Sequence, residues 1–134
     1  MAKLVPYIFS EDARSQGQFY VDALGGEFVS VLTFGEAPGT PEELKEKIMH
    51  QHIVAGGITI FMSDSPGRQI VRGNGTALSL VFDTDAEAHA AFDKLAAGGK
   101  VIDPLKQQFW GALFGMLEDK YGVEWQVSTE QKQG

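Results

Sequence analysis

Apolar residues along this chain fall into short runs of strand length, interrupted twice by a stretch with helical spacing, and the arrangement is written twice. Leu4–Phe9 is apolar on both faces, as a buried strand requires, with Pro6 restricting it to an edge or an irregular ladder position. Ser10 is the expected N-cap of a helix with Glu11 and Asp12 in its first turn; Ala13, Gly17, Tyr20 and Leu24 share one face. Gly25-Gly26 stops that helix. The pattern returns 73 positions later: Phe9, Asp12, Ala13, Phe19, Ala23, Gly25 and Gly26 match Phe82, Asp85, Ala86, Phe92, Ala96, Gly98 and Gly99. Those are seven identities over positions 4 to 28, where ordinary composition gives about two by chance.

The remaining elements follow from alternation and turn chemistry. Glu27–Phe34 reads as a second strand, and Gly35–Lys47 as a loop with a short exposed helix capped at Thr40-Pro41. Met49–Ala55 and Ile58–Ser63 form a hairpin about Gly56-Gly57. Asp64–Gly75, rich in Gly and Pro, reads as a mobile linker. The second copy runs as strand Thr76–Asp83, a capping box at Thr84 to Glu87, and a helix with Ala88, Phe92, Leu95 and Ala96 inward. Three strands follow, Lys100–Leu105, Gln108–Leu117 and Val123–Ser128, with a turn at Asp119–Gly122. The expected fold is α+β, two tandem strand-helix-three-strand (βαβββ) modules in one domain. Module one covers about 1–64, a linker 65–75, module two 76–128 and a polar tail 129–134.

Composition narrows the function. With 134 residues, 43% hydrophobic and 22% charged, the chain has the make-up of a soluble globular protein, and no apolar run approaches membrane-spanning length. The start lacks the apolar core of a secretory leader, so a cytoplasmic location is expected. The absence of cysteine agrees, and excludes disulfides, iron–sulfur clusters and thiolate chemistry. A net charge of −7 argues against nucleic acid as a partner.

The duplicated unit resembles the vicinal oxygen chelate superfamily of glyoxalase I, extradiol dioxygenases and bleomycin-resistance proteins. The PhnB-like branch is matched by Pro6-Tyr7-x-Phe9, Phe19-Tyr20, Met49-His50 before Gly56-Gly57, Phe109-Trp110-Gly111 and Asp119-x-x-Gly122-Val123-x-Trp125. Met62-Ser63-Asp64 stands where that branch carries a similar motif with a spacer, which is missing here. The resemblance implies curved modules around a cavity, a small-molecule ligand, and a homodimer. In metal-using members the ligands lie on the first and last strands of each module; carried over, those positions are Val5, the neighbourhood of Phe61, Leu78 or Ala77, and Gln126. Three of these are apolar and offer no donor to a divalent cation, so no metal and no other cofactor is expected there.

Candidate chemistry centres on His50-x-His52, two imidazoles that a strand projects to one face. They could contact an organic ligand, or form half of a relocated metal site completed by Glu118, Glu124 or Gln126, which would make the chain a metal-dependent lyase, isomerase or dioxygenase. The expected ligand-binding set is Tyr7, His50, His52, Trp110 and Gln126, an aromatic lining with a few polar groups. One of Phe109 and Trp110 is expected to point into the cavity and the other away, most aromatics being core. Glu124 is a candidate base, Arg68 and Arg72 are candidate anion contacts, and His89 is expected on the solvent side of its helix. No catalytic residue is assigned, and turnover is left open.

Overall fold

The computed structural model of the protein describes residues 1–130, which fall into two compact units, Met1–Val71 and the chain from Arg72 onward. The first unit runs β1 (Tyr7–Ser10), α1 (Ala13–Leu24), β2 (Gly26–Thr33), two 3-10 turns, β3 (Ile48–Ala55) and β4 (Ile58–Asp64). Its sheet has the order β1-β4-β3-β2, with β1 parallel to β4 and the other pairs antiparallel. The second runs β5 (Leu78–Phe82), α2 (Asp85–Ala96), β6 (Lys100–Gln107), β7 (Leu113–Glu118) and β8 (Glu124–Thr129), ordered β5-β8-β7-β6 with β5 parallel to β8. This is the α+β, paired βαβββ architecture that the repeat predicts.

Element boundaries depart from the sequence reading for identifiable reasons. Pro6, which has no N–H to give, ends just outside β1, and its carbonyl accepts from Phe61 N–H at 3.0 Å. Ser10 stays in the strand, buried, and its hydroxyl oxygen accepts the Asp12 N–H at 3.0 Å. The N-cap is Asp12 instead, accepting Ser15 N–H at 3.2 Å. Thr40 likewise caps nothing. Its hydroxyl donates back to the Phe34 carbonyl at 2.6 Å, and the short 3-10 turn Glu42–Leu44 starts from Pro41.

The two glycines after each helix have different tasks. Gly25 and Gly98 have φ of +76° and +77°, a conformation that costs any side-chain-bearing residue. Gly26 and Gly99 instead let backbones touch, since a Cβ on Gly26 would run into the Val54 carbonyl and one on Gly99 into that of Glu118. The repeat register also differs by one between parts of the unit. The caps Asp12 and Thr84 and the two twelve-residue helices are 72 positions apart, so buried Tyr20 corresponds to buried Phe92, and Phe19 is not its counterpart. The positive-φ glycines keep the spacing of 73.

In both units the helix covers one face of the sheet. Ile8, Ile53, Ile60 and Met62 meet Ala13, Tyr20 and Ala23 in the first; Leu80, Leu117, Trp125 and Val127 meet Ala88, Ala91, Phe92 and Leu95 in the second. Each large apolar side chain so buried contributes about 1.5–3 kcal/mol. Most polar groups within these layers are tied down, Gln51 Oε1 being a buried exception. The Ser10 hydroxyl donates to Gln16 Oε1 at 2.6 Å, Gln16 Nε2 to the Tyr20 hydroxyl at 2.7 Å, and Gln51 Nε2 to the Ala13 carbonyl at 2.9 Å. In the second unit Asp119 shapes the β7–β8 turn by accepting Tyr121 N–H, and takes the indole N–H of Trp125 at 2.9 Å. No helix among the described residues is long and apolar enough to cross a membrane.

Candidate functional site

Strand periodicity leaves each sheet with a face away from its helix. In the first unit the register Tyr7↔Phe61, His52↔Phe61 and Leu32↔His50 places these residues together on that open face. Their rings pack in series. Phe9 lies 5.1 Å from Tyr7, Tyr7 lies 5.9 Å from His50, and Phe61 sits edge-on to both His50 and His52 at 5.0 and 5.1 Å. Tyr7 and Phe9 remain 42% and 39% exposed, large apolar surfaces that the helix side of the sheet cannot reach. His50 and His52 are half-buried, and among the described residues their ring nitrogens make no hydrogen bond. Arg68, just past β4, stacks its guanidinium 4.8 Å over the Phe9 ring and so extends the same face.

The sequence set is therefore partly assembled within this unit: Tyr7, His50 and His52 share one surface. Phe9 and Phe61 join them, outside the expected ligand set; Phe9 has the parity of Tyr7 on β1, and Phe61 is placed by its pairing with Tyr7 and His52. Gln126 and Trp110 belong to the second unit. Gln126 pairs with Ser79 and Met116 on the open face of that sheet, the place that Phe61 takes opposite Tyr7 in the first. Trp110 is not on a strand: residues 108–112 form a tight loop between β6 and β7, closed by Gln108 N–H to the Ala112 carbonyl at 2.9 Å. Phe109 and Trp110 stack edge-on at 5.0 Å and are 96% and 40% exposed, so the expected division into one inward and one outward ring does not hold. Of Tyr7, Phe61, Phe109, Trp110, Phe114 and Trp125, only Trp125 is buried, so the expectation that most of these are core fails.

Other candidates separate clearly. Glu124 lies directly across from Glu118, whose other neighbour is Lys100. His89 is on the solvent side of α2, as expected. Arg72 donates Nε–H to the Tyr121 carbonyl at 3.1 Å within the second unit, whereas Arg68 belongs to the aromatic face of the first. A separate recess of about 300 Å³ at the start of α1 is lined by charged groups including Asp12, Arg14, Glu46 and Asp64. Both Asp64 oxygens there are taken, by Ala13 N–H at 2.8 Å and Ile48 N–H at 2.7 Å.

A divalent cation does not fit the positions that the superfamily resemblance points to. Val5 precedes β1, Phe61 offers a phenyl ring and Leu78 an isobutyl group, leaving Gln126 as the sole donor of the four. Among the described residues no His, Cys, Asp or Glu group of three or more is close enough to hold a metal, so His50 and His52 stand as a pair.

A four-stranded sheet with a helix on one face and a bare face opposite, made twice by one chain with first and last strands parallel, defines a paired-module α+β protein. The chain belongs to the Glyoxalase/Bleomycin resistance protein/Dioxygenase superfamily, whose model matches residues 4–127. It is 29% identical to Protein YjdN of Escherichia coli (strain K12), over 97% of both chains. Among solved structures it resembles protein PA1353 of Pseudomonas aeruginosa, with a TM-score of 0.85, 37% identity, and coverage of 98% of this chain and 100% of that one. It also resembles the PhnB protein of Bacillus cereus, with a TM-score of 0.80 and 25% identity over 96% of this chain and 100% of the other.

Proposed function

We propose that the chain binds a small organic ligand on the open aromatic face of its first unit, without using the superfamily's metal positions. The observation that carries this reading is the pair of half-buried imidazoles with unengaged nitrogens, set among the rings of Tyr7, Phe9 and Phe61. A flat apolar surface supplies contact area and the imidazoles supply direction, the combination that small-molecule sites use. Gln126 and Trp110 are proposed as ligand contacts on the second unit, to be tested by their own variants. Membership of a superfamily with many homodimers supports a homodimer as the working assembly.

The test is calorimetric titration of a panel of small aromatic and amphipathic compounds. A saturable binder is expected, with affinity reduced at least about tenfold by Tyr7→Ala or by His50→Ala with His52→Ala, the loss of roughly one directed contact. Binding that these substitutions leave untouched would move the site elsewhere. Turnover of the bound compound only in the presence of a divalent metal would favour the metal-dependent enzyme instead.

A further inference from the structure

We infer that the ligand of the first unit's open face is an organic anion with an aromatic body, its acid group paired with Arg68. The inference rests on the binding reading above and adds the substrate class. It starts from a contrast of charge. The chain carries 18 acidic against 11 basic residues, yet the series Arg68, Phe9, Tyr7, Phe61, His50 and His52 contains no carboxylate.

All but one of the first unit's acids lie elsewhere. Glu11 and Asp12 precede α1, Asp22 lies on α1, and Glu36, Glu42, Glu43 and Glu46 belong to the segment between β2 and β3. Asp64 is spent on two backbone N–H groups on the helix side. Glu27 alone shares the open face, at the start of β2 beside Val54, two residues along β3 from His52.

Arg68 is a cation on this surface, and among the described residues it has no carboxylate partner. Stacked over Phe9, its guanidinium is held by a face contact that leaves the N–H edges free, the geometry in which arginine takes a carboxylate or phosphonate by paired hydrogen bonds. An aromatic body fits the next steps of the series, because its π-face can lie on or edge against Phe9, Tyr7 and Phe61. At the far end His50 and His52 present ring nitrogens to a polar substituent such as a hydroxyl. The surface is thus ordered as guanidinium, apolar rings, then imidazole nitrogens, and a molecule complementary to it carries its acid at the Arg68 end.

The probe is 4-hydroxycinnamate against its neutral amide, titrated calorimetrically into the intact protein at constant pH, with wild type compared to Arg68→Gln. Arg14→Gln, an exposed change on α1, serves as the charge control. The expected result is that the acid binds at least tenfold tighter than the amide, and that Arg68→Gln removes this difference whereas Arg14→Gln preserves it. Acid and amide binding equally well, or a preference that survives Arg68→Gln, would overturn the anion assignment while the binding face stood. Binding of neither compound would overturn the anion assignment, and if no member of the wider aromatic panel bound, the binding face itself would fall with it.

Discussion

The Asp64 carboxylate accepts the backbone N–H of Ala13 at 2.8 Å, tying the last residue of β4 to the first residue of α1 across 51 positions of sequence. Its second oxygen takes the N–H of Ile48, where β3 begins. In the second unit Thr129 holds Leu113 in the matching way, at 3.0 Å and with a neutral oxygen. Removing Asp64 leaves two backbone donors without their acceptor. Asp64→Ala is expected to cost about 2–4 kcal/mol, and Thr129→Val, which loses one neutral bond, about 1 kcal/mol. Urea unfolding of the two variants measures this, and equal losses would show that the carboxylate does no more than the hydroxyl.

Gly26 and Gly25 are adjacent, yet substitution tests different things at each. A methyl on Gly26 meets the Val54 carbonyl group, with its carbon 2.8 Å away, so Gly26→Ala forces β2 from β3 and is expected to cost about 1–3 kcal/mol or more. A methyl on Gly25 meets nothing within 4 Å, and Gly25→Ala pays only for its positive φ, about 1–2 kcal/mol. Amide exchange separates them: the first substitution is expected to loosen the β2–β3 ladder, the second to fray only the end of α1.

The two tryptophans give a spectroscopic handle. Trp125 is 1% exposed and bonded to Asp119, whereas Trp110 sits on the β6–β7 loop beside exposed Phe109. Acrylamide quenching is expected to show one accessible and one protected indole, with Trp110→Phe removing the accessible component. A protected Trp110 in a sample that sediments as a dimer, becoming accessible on dilution to monomer, would place this loop at the contact between copies.

Metal content discriminates between the two functional readings. After incubation with zinc, nickel, manganese or iron(II) and desalting, untagged protein is expected to retain far less than one metal per chain, because a lone imidazole pair forms half a tetrahedral site. Stoichiometric metal lost in the His50→Ala, His52→Ala double variant would reverse the conclusion.

Strand and helix order was legible because two signals reinforced each other: alternating runs such as Glu27–Phe34, and a glycine pair closing each helix. Register and caps were not. Ser10 and Asp12 are both good cap residues, and what decides between them is tertiary: Ser10 is drawn into the sheet, where Gln16 lies within reach. The one-residue offset of Tyr20 against Phe92 stayed hidden because identical residues align at 73 while buried positions align at 72. For the site, alternation identified the shared face of His50 and His52, with Tyr7 added by the superfamily resemblance, whereas Phe109-Trp110 read as strand because aromatic content mimics β propensity in a loop. Arg68 was legible as a candidate anion contact, but its place over Phe9 was not, since β1–β4 pairing brings the two together across the length of the unit.

That pairing also dictates an order of events during synthesis. β1 is the edge of its sheet, and its hydrogen-bonding partner is the last strand of the unit, so Tyr7–Ser10 has no neighbour to pair with until Phe61–Asp64 has left the ribosome. Until then an aromatic strand waits unpaired, and the β2–β3–β4 meander, built from local contacts, is the scaffold that must be ready to receive it. Nascent chains halted before Phe61 emerges are therefore the ones most in need of chaperones, and substitutions that slow the meander should be felt first as aggregation during translation and only later as loss of equilibrium stability.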